Sequence, residues 1–195
     1  MTDRLGDKFS RISALRPAPG LKPSGGAPEF PDRKADRLTR LLDAECRSNR
    51  LGRHIVLRRW FAQPQPIEIS LRALRRILPN AASSVLQSQQ WLFLDTETTG
   101  LAGGTGTYAF LVGLAWWEDG GLAVEQYFMR DYDEEPSLLL ELSGRLAERR
   151  VLVTFNGKSF DWPLLQTRYR MTRAAFLEEP DAHLDLLHPA RQLWR

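Results

Sequence analysis

Apolar positions are spread unevenly along the chain, and their spacing changes character twice. Residues 16–31, RPAPGLKPSGGAPEFP, are dense in Pro and Gly and hold few large apolar side chains. Burial there cannot repay the entropy of ordering, so a flexible linker is expected. In residues 36–50, Leu38, Leu41, Leu42 and Glu45/Cys46 recur at helical spacing, with Asp36 as a cap and Gly52 as a stop. This predicts a docking helix that buries Cys46. Residues 70–78 predict a second, short helix that starts at Ser70, ends before Pro79-Asn80 and gathers Arg72, Arg75 and Arg76 on much of one face.

From Trp91 onward the apolar residues come in short continuous runs. WLFLD (91–95) suits a buried strand, YAFLVGLAWW (108–117) is apolar and β-prone, and LAVEQYFM (122–129) partly alternates after the turn Asp119-Gly120-Gly121. Three strands in hairpin order are expected. A helix over 137–149 follows, with Glu134 and Glu135 near its positive end and Arg145, Arg149 and Arg150 towards its negative end. Then come a strand over 151–155, a helix over 159–170, a short strand over 183–186 and a last helix. The order βββαβαβα predicts an α/β fold, a mixed sheet flanked by helices.

Composition sets bounds on this reading. At 195 residues, 43% hydrophobic and 26% charged, the chain suits one domain with an appendage and excludes a collagen-like or wholly disordered polymer. No apolar run nears the roughly 18 residues of a membrane span. Residues 1–20 also lack the apolar centre of a secretory signal, so a cytoplasmic protein with no membrane partner is expected. Cys46 stands alone and forms no internal disulfide. Net charge is only +3, but residues 1–80 hold 17 Lys/Arg against 8 Asp/Glu, while residues 81–195 hold 10 against 16. A basic arm suits phosphates and an acidic module suits divalent cations. The expected organisation is a partly disordered basic arm (1–35), a helical or extended basic appendage (36–80) and the sheet domain (81–195).

The acidic residues that matter most are few. Asp95 and Glu97 lie at i and i+2 where the first strand of the domain ends, so extended geometry turns both to one face. Such a pair repels itself unless a cation intervenes, and carboxylate oxygens suit Mg²⁺ or Mn²⁺. Asp161, in NGKSFD, opens a helix after the next parallel strand and is expected in the same cleft. Three converging acids can hold two metals, one activating a water for attack on a phosphodiester and one stabilising the leaving oxygen. Thr98 and Thr99 before Gly100 also suit simple turn chemistry. The glycine-rich GLAGGTGT has no Lys where a P-loop requires one.

FLDTETTGL resembles the first motif of the DEDD exonucleases, within the ribonuclease H-like superfamily, and TFNGKSFDWPLL resembles their second. The GGTGT segment followed by AFLVGL is similar to the bacterial YprB-like branch. The resemblance implies a ribonuclease H-like sheet and 3′–5′ exonuclease-like hydrolysis of single-stranded or terminal DNA or RNA with two Mg²⁺ or Mn²⁺. It makes Asp95, Glu97 and Asp161 three of four metal-binding acids. Asn156 and Phe160 would shape the site, by hydrogen bonding and by packing. The backbone of Thr98, Thr99, Gly100 and Leu101 would meet the terminal nucleotide.

The family's third motif, a Tyr or His four residues before a final Asp, has no match; His183 and Asp185 are two apart. Asp185 resembles the short strand preceding that motif, His188 falls on the next helix, and the domain is expected to be incomplete at its C-terminal side. Two functions therefore stay open: a nuclease, or a nucleic-acid-binding or regulatory remnant that keeps the acids without turnover. Arg168, Arg170 and Arg173, with the basic arm, are candidates to track a phosphate backbone. Trp162 is expected in the core rather than stacked on a base.

Overall fold

The computed structural model describes residues 33–62, 70–77, 87–100, 105–173 and 177–194. The predicted linker and Leu101 lie outside them. Residues Arg33–Arg195 form one compact unit. Helix α1 (Arg33–Leu42) stops where Asp43 takes a left-handed φ of 52°. The chain then enters β1 (Glu45–Asn49), and a tight turn leads to β2 (Gly52–Ala62), paired Asn49 to Gly52. The single helix predicted over 36–50 is thus corrected to a helix followed by a strand, and Cys46 is exposed on β1. Helical spacing was misleading because β2 needs an outer partner. It pairs with β5 on one side and offers its other edge to β1.

The remaining elements follow the predicted order: α2 (Leu71–Ile77), β3 (Trp91–Thr98), β4 (Ala109–Glu118), β5 (Gly121–Phe128), α3 (Glu135–Glu148), β6 (Val151–Thr154), α4 (Asp161–Thr172), β7 (Ala182–Asp185) and α5 (Leu187–Leu193). They form one mixed sheet in the order β1-β2-β5-β4-β3-β6-β7. β3 is the hinge of its topology, antiparallel to β4 and parallel to β6, which is parallel to β7. The expected α/β sheet flanked by helices is present, and β1 and β2 extend it from five strands to seven.

One sheet face is covered by α3 and α4. Leu92 and Leu94 of β3 meet Val112, Leu114 and Trp116 of β4 there, beneath Leu138, Leu142 and Leu165 of the helices. On the other face, Leu74 of α2 packs with Trp91, Val151, Val153 and Leu184. Among the described residues, no helix is long and apolar enough to cross a membrane.

The large core also encloses a charge. Glu125 on β5 is 0% exposed and accepts bonds from the Tyr127 hydroxyl, Arg47 (3.3 Å), Arg58 (3.1 Å) and Arg145 (3.1 Å). Burial alone would raise its pKa, but the Tyr127 hydroxyl and Arg145 outweigh burial and hold it below the ordinary value. Arg145 and Arg149 also stack on Trp116, each 4.8 Å from its ring. Removing this one carboxylate leaves three guanidinium groups short of a partner. Glu125→Ala should destabilise the fold by about 3–5 kcal/mol, whereas removing the half-exposed partner of Arg150 in Glu178→Ala should cost less than about 1 kcal/mol. Urea unfolding of the two variants checks this; equal losses would refute it.

Candidate carboxylate site

Alternation along β3 decides where each candidate side chain goes. Leu92, Leu94 and Thr96 face the helices, while Phe93, Asp95 and Glu97 face the other way. Asp95 and Glu97 are therefore exposed on one face, as their i, i+2 spacing predicts. A register shift between Glu97 and Thr98 ends regular pairing with β4. Across from Asp95 lies Gly113, which puts no side chain over it. The result is a groove of about 460 Å³ lined by Asp95, Gly113, Val124, Gln126, Phe155 and Leu186 among others.

Asp161 reaches β3 from the helix-covered side. It is the first residue of α4 and is 8% exposed, and its Oδ1 accepts a 2.5 Å hydrogen bond from the Thr96 hydroxyl. Burial pushes its carboxyl above the usual range; the Thr96 bond opposes that, and the negative charge of Asp95 adds to it. The Asp95 charge thus reaches Asp161 around the end of β3. Among the described residues, no three Asp, Glu, His or Cys side chains gather closely enough to enclose a metal. A Mg²⁺-type ion does not require such a cage, because it keeps several waters and binds through one or two carboxylates plus substrate phosphate. The Asp95–Asp161 pair fits that mode.

The loop between β6 and α4 carries Phe155, Asn156 and Phe160, and a buried acid holds it. Asp185, 4% exposed at the end of β7, accepts backbone N–H bonds from Asn156 (2.7 Å), Lys158 (3.1 Å) and Leu187 (3.0 Å). Burial pushes its carboxyl up, but these three donors and the nearby His188 outweigh burial and leave it below the usual value. Asn156 has a left-handed φ of 66°, a conformation Asn tolerates better than most residues. At Gly157 a side chain would come within 2.5 Å of Thr154. The loop therefore has a specified shape. Phe155 and Phe160 are 62% and 60% exposed, so the Phe160 ring stands in solvent beside Asp161 and does not pack beneath it.

Residues 92–194 match a family model described as "RNase_H superfamily". The chain belongs to the RNase_H superfamily. It is also 40% identical over 104 residues to "Uncharacterized protein YprB" of Bacillus subtilis (strain 168), a match covering 53% of this chain and 25% of that protein. The chain thus spans about a quarter of the length of this curated relative.

Other residues of this RNase_H superfamily chain serve the site from behind. The Thr98 hydroxyl donates to the Gly100 carbonyl at 2.9 Å. Thr99 and Tyr108 bond each other twice, N–H to carbonyl and N–H to hydroxyl, each at 3.0 Å. These are turn bonds that direct the chain out of β3. Arg168, a candidate for tracking phosphates, is corrected by the structure. It is 3% exposed, forms a two-bond pair with Glu135 at 2.6 Å each, donates to the Thr105 carbonyl at 2.8 Å and stacks on Tyr108. Glu134 and Glu135 likewise do more than complement the α3 dipole, since both are buried in pairs with Arg130 and Arg168. Trp162 lies in the core, as expected, and donates to Glu179 at 3.2 Å.

Thr96, Asp185 and Arg168 are the contributors that sequence reasoning missed in these roles. Only Thr96 left a signal, as the residue between two acids whose side chain must face the opposite way. Asp185→Ala leaves three backbone donors without their acceptor and should cost about 3 kcal/mol in urea unfolding; a loss below about 1 kcal/mol would show the loop holds itself. His183 gives a pH test. Burial first, then the charge of Lys158, lowers its pKa from 6.5 to about 4, while its Nε2 sits 2.8 Å from the Thr154 hydroxyl. Its stabilising effect is full above pH 6.5 and is lost as pH falls through the window towards about 4. The melting-point gap between wild type and His183→Gln should shift across that window, and parallel pH curves would contradict it.

Proposed function

We propose that this chain is a metal-dependent nuclease that hydrolyses phosphodiester bonds in single-stranded or terminal DNA or RNA, in the 3′–5′ exonuclease manner, in the cytoplasm. The observation that carries this reading is the hydrogen bond from Thr96, the residue after Asp95 on β3, to Asp161 at the start of α4, near the carboxyl ends of the parallel strands β3 and β6, the end at which open α/β sheets bind ligands. Membership of the RNase_H superfamily supports the same chemistry.

Asp95, Glu97 and Asp161 are the residues that would hold Mg²⁺ or Mn²⁺, two ions in a complete site. A cation bound there supplies charge neutralisation at the phosphate and a lowered pKa for the attacking water. The chain's own part is positional. Thr96 fixes the Asp161 carboxylate at one end of its 2.5 Å bond. Asp185 fixes the loop that carries Asn156 and Phe160. The open side of β3, with Gly113 opposite Asp95, leaves room for a nucleotide against the exposed acids. Backbone amides of Thr98, Thr99, Gly100 and Leu101 would meet the terminal nucleotide, Leu101 lying outside the described residues.

A second reading, a nucleic-acid-binding or regulatory remnant, draws on one observation: among the described residues no further acid or His joins Asp95 and Asp161 in a close group. An end-labelled oligonucleotide incubated with Mg²⁺ or Mn²⁺ separates the two. The nuclease shortens it, and Asp95→Asn reduces the rate by at least about 100-fold. Binding without shortening supports the remnant, and cleavage unchanged in Asp95→Asn removes Asp95 from the site.

A further inference from the structure

The described arginines differ in what they hold. From Arg47 and Arg58 through Arg145 and Arg150 to Arg168, those that cross the core and its margins hold a carboxylate. Arg72, Arg75 and Arg76 on α2 do not: each is exposed and makes no hydrogen bond or ion pair with any described residue. Neither α2 nor α5, which lies beside it, contains an acidic residue, and α5 adds Arg191 and His188. Between the two helices runs a groove of about 450 Å³ whose walls include Arg72, Ala73 and Arg76 on one side and Pro189, Gln192 and Leu193 on the other. Arg72 and Arg76 are four residues apart on a helix, so both heads lie on the same wall.

The position of this groove gives it a partner. Leu74 anchors α2 on Val153 and its neighbours, and Val153 also lines the groove beside Asp95. Leu186 lines the Asp95 groove too, and it is the residue from which α5 starts. One sheet face therefore leads from the exposed carboxylates, over Val153 and Leu186, to a cationic wall with no acidic partner among the described residues. A protein partner rich in acids would meet the same wall, but nothing acidic or hydrogen-bonding would then connect it to the carboxylate end. A nucleic-acid strand matches both ends, with its phosphates on the arginines and its reacting phosphodiester at the acids through the cations they would hold.

We propose that the α2–α5 groove is a nucleic-acid-binding surface in which Arg72 and Arg76 hold the phosphate backbone of the strand leaving the Asp95 groove. This rests on the nuclease reading for the direction of the strand, and adds a site on α2, outside the region matched by the family model. Phosphate contacts of this kind are sequence-independent and release counterions, so they weaken with salt by a predictable slope.

The test is binding of the full chain to a fluorescein-labelled oligothymidylate in EDTA, where no metal-dependent cutting occurs, across a salt series. Arg72→Glu with Arg76→Glu should weaken binding roughly tenfold at low salt and reduce the slope of log affinity against log salt by about 1.4, the value for two phosphate contacts on a single strand. The paired lysine variant, Arg72→Lys with Arg76→Lys, should keep the wild-type slope. Both side chains are exposed, and an unchanged melting point confirms the fold. A wild-type slope in the glutamate variant overturns the proposal. So does a loss of binding to vesicles of phosphatidylserine and phosphatidylcholine without any loss on the oligonucleotide, which would assign the wall to a membrane surface. Because the readout is binding without metal, it stands apart from the nuclease reading: Asp95→Asn cleaving at the wild-type rate would sink that reading while leaving the salt slope as evidence on the groove.

Discussion

Strand β3 can show only every second residue to each face, and the candidate site depends on that constraint. Its helix-covered side takes Leu92 and Leu94 into the core and ends in Thr96, which meets Asp161. Its open side presents Asp95 and Glu97 to solvent. A shift of one residue in its pairing with β4 and β6 would bury two carboxylates under α4 and expose two leucines, at a cost far beyond the stability of a small domain. The alternation therefore secures the core and the site by the same means. The bulge after Glu97 marks where this register is released and the chain turns away.

Around that strand, the protein uses buried charged groups as fixed points. Asp185 gathers three backbone donors, Arg168 ties α4 to α3 through Glu135 and to Thr105 ahead of β4, and Glu125 holds three arginines under α3. Each pair costs desolvation, and each is retained where a hydrophobic contact would not specify direction. Asp185 and Arg168 both act on segments adjoining the carboxylates. Asp161 differs from them, since burial and Asp95 push its carboxyl up while its hydrogen bond from Thr96 opposes them.

The two sheet faces divide the labour. The helix-covered face supplies most of the core and the anchors, while the open face carries the exposed acids, an apolar groove and, farther along, the exposed arginines of α2.

Much of this could be read from the chain. Apolar runs and turn residues located β3 to β7 with α3 and α4 between them, since strand and helix periods are local properties; the spacing of Asp95 and Glu97 put both on one face for the same reason. The two motifs carried the family. What the sequence could not decide depended on partners far away. Residues 45–49 have helical spacing yet form β1, because the free edge of β2 offers more backbone hydrogen bonds than another turn of an exposed helix. Arg168 and Arg72 are the same residue type in similar helical settings, and only packing buries one against Glu135 while leaving the other in solvent. Local pattern determined which elements form and which way their side chains alternate; tertiary structure decided which charges meet, because an ion pair depends on distance in space and not on separation in sequence.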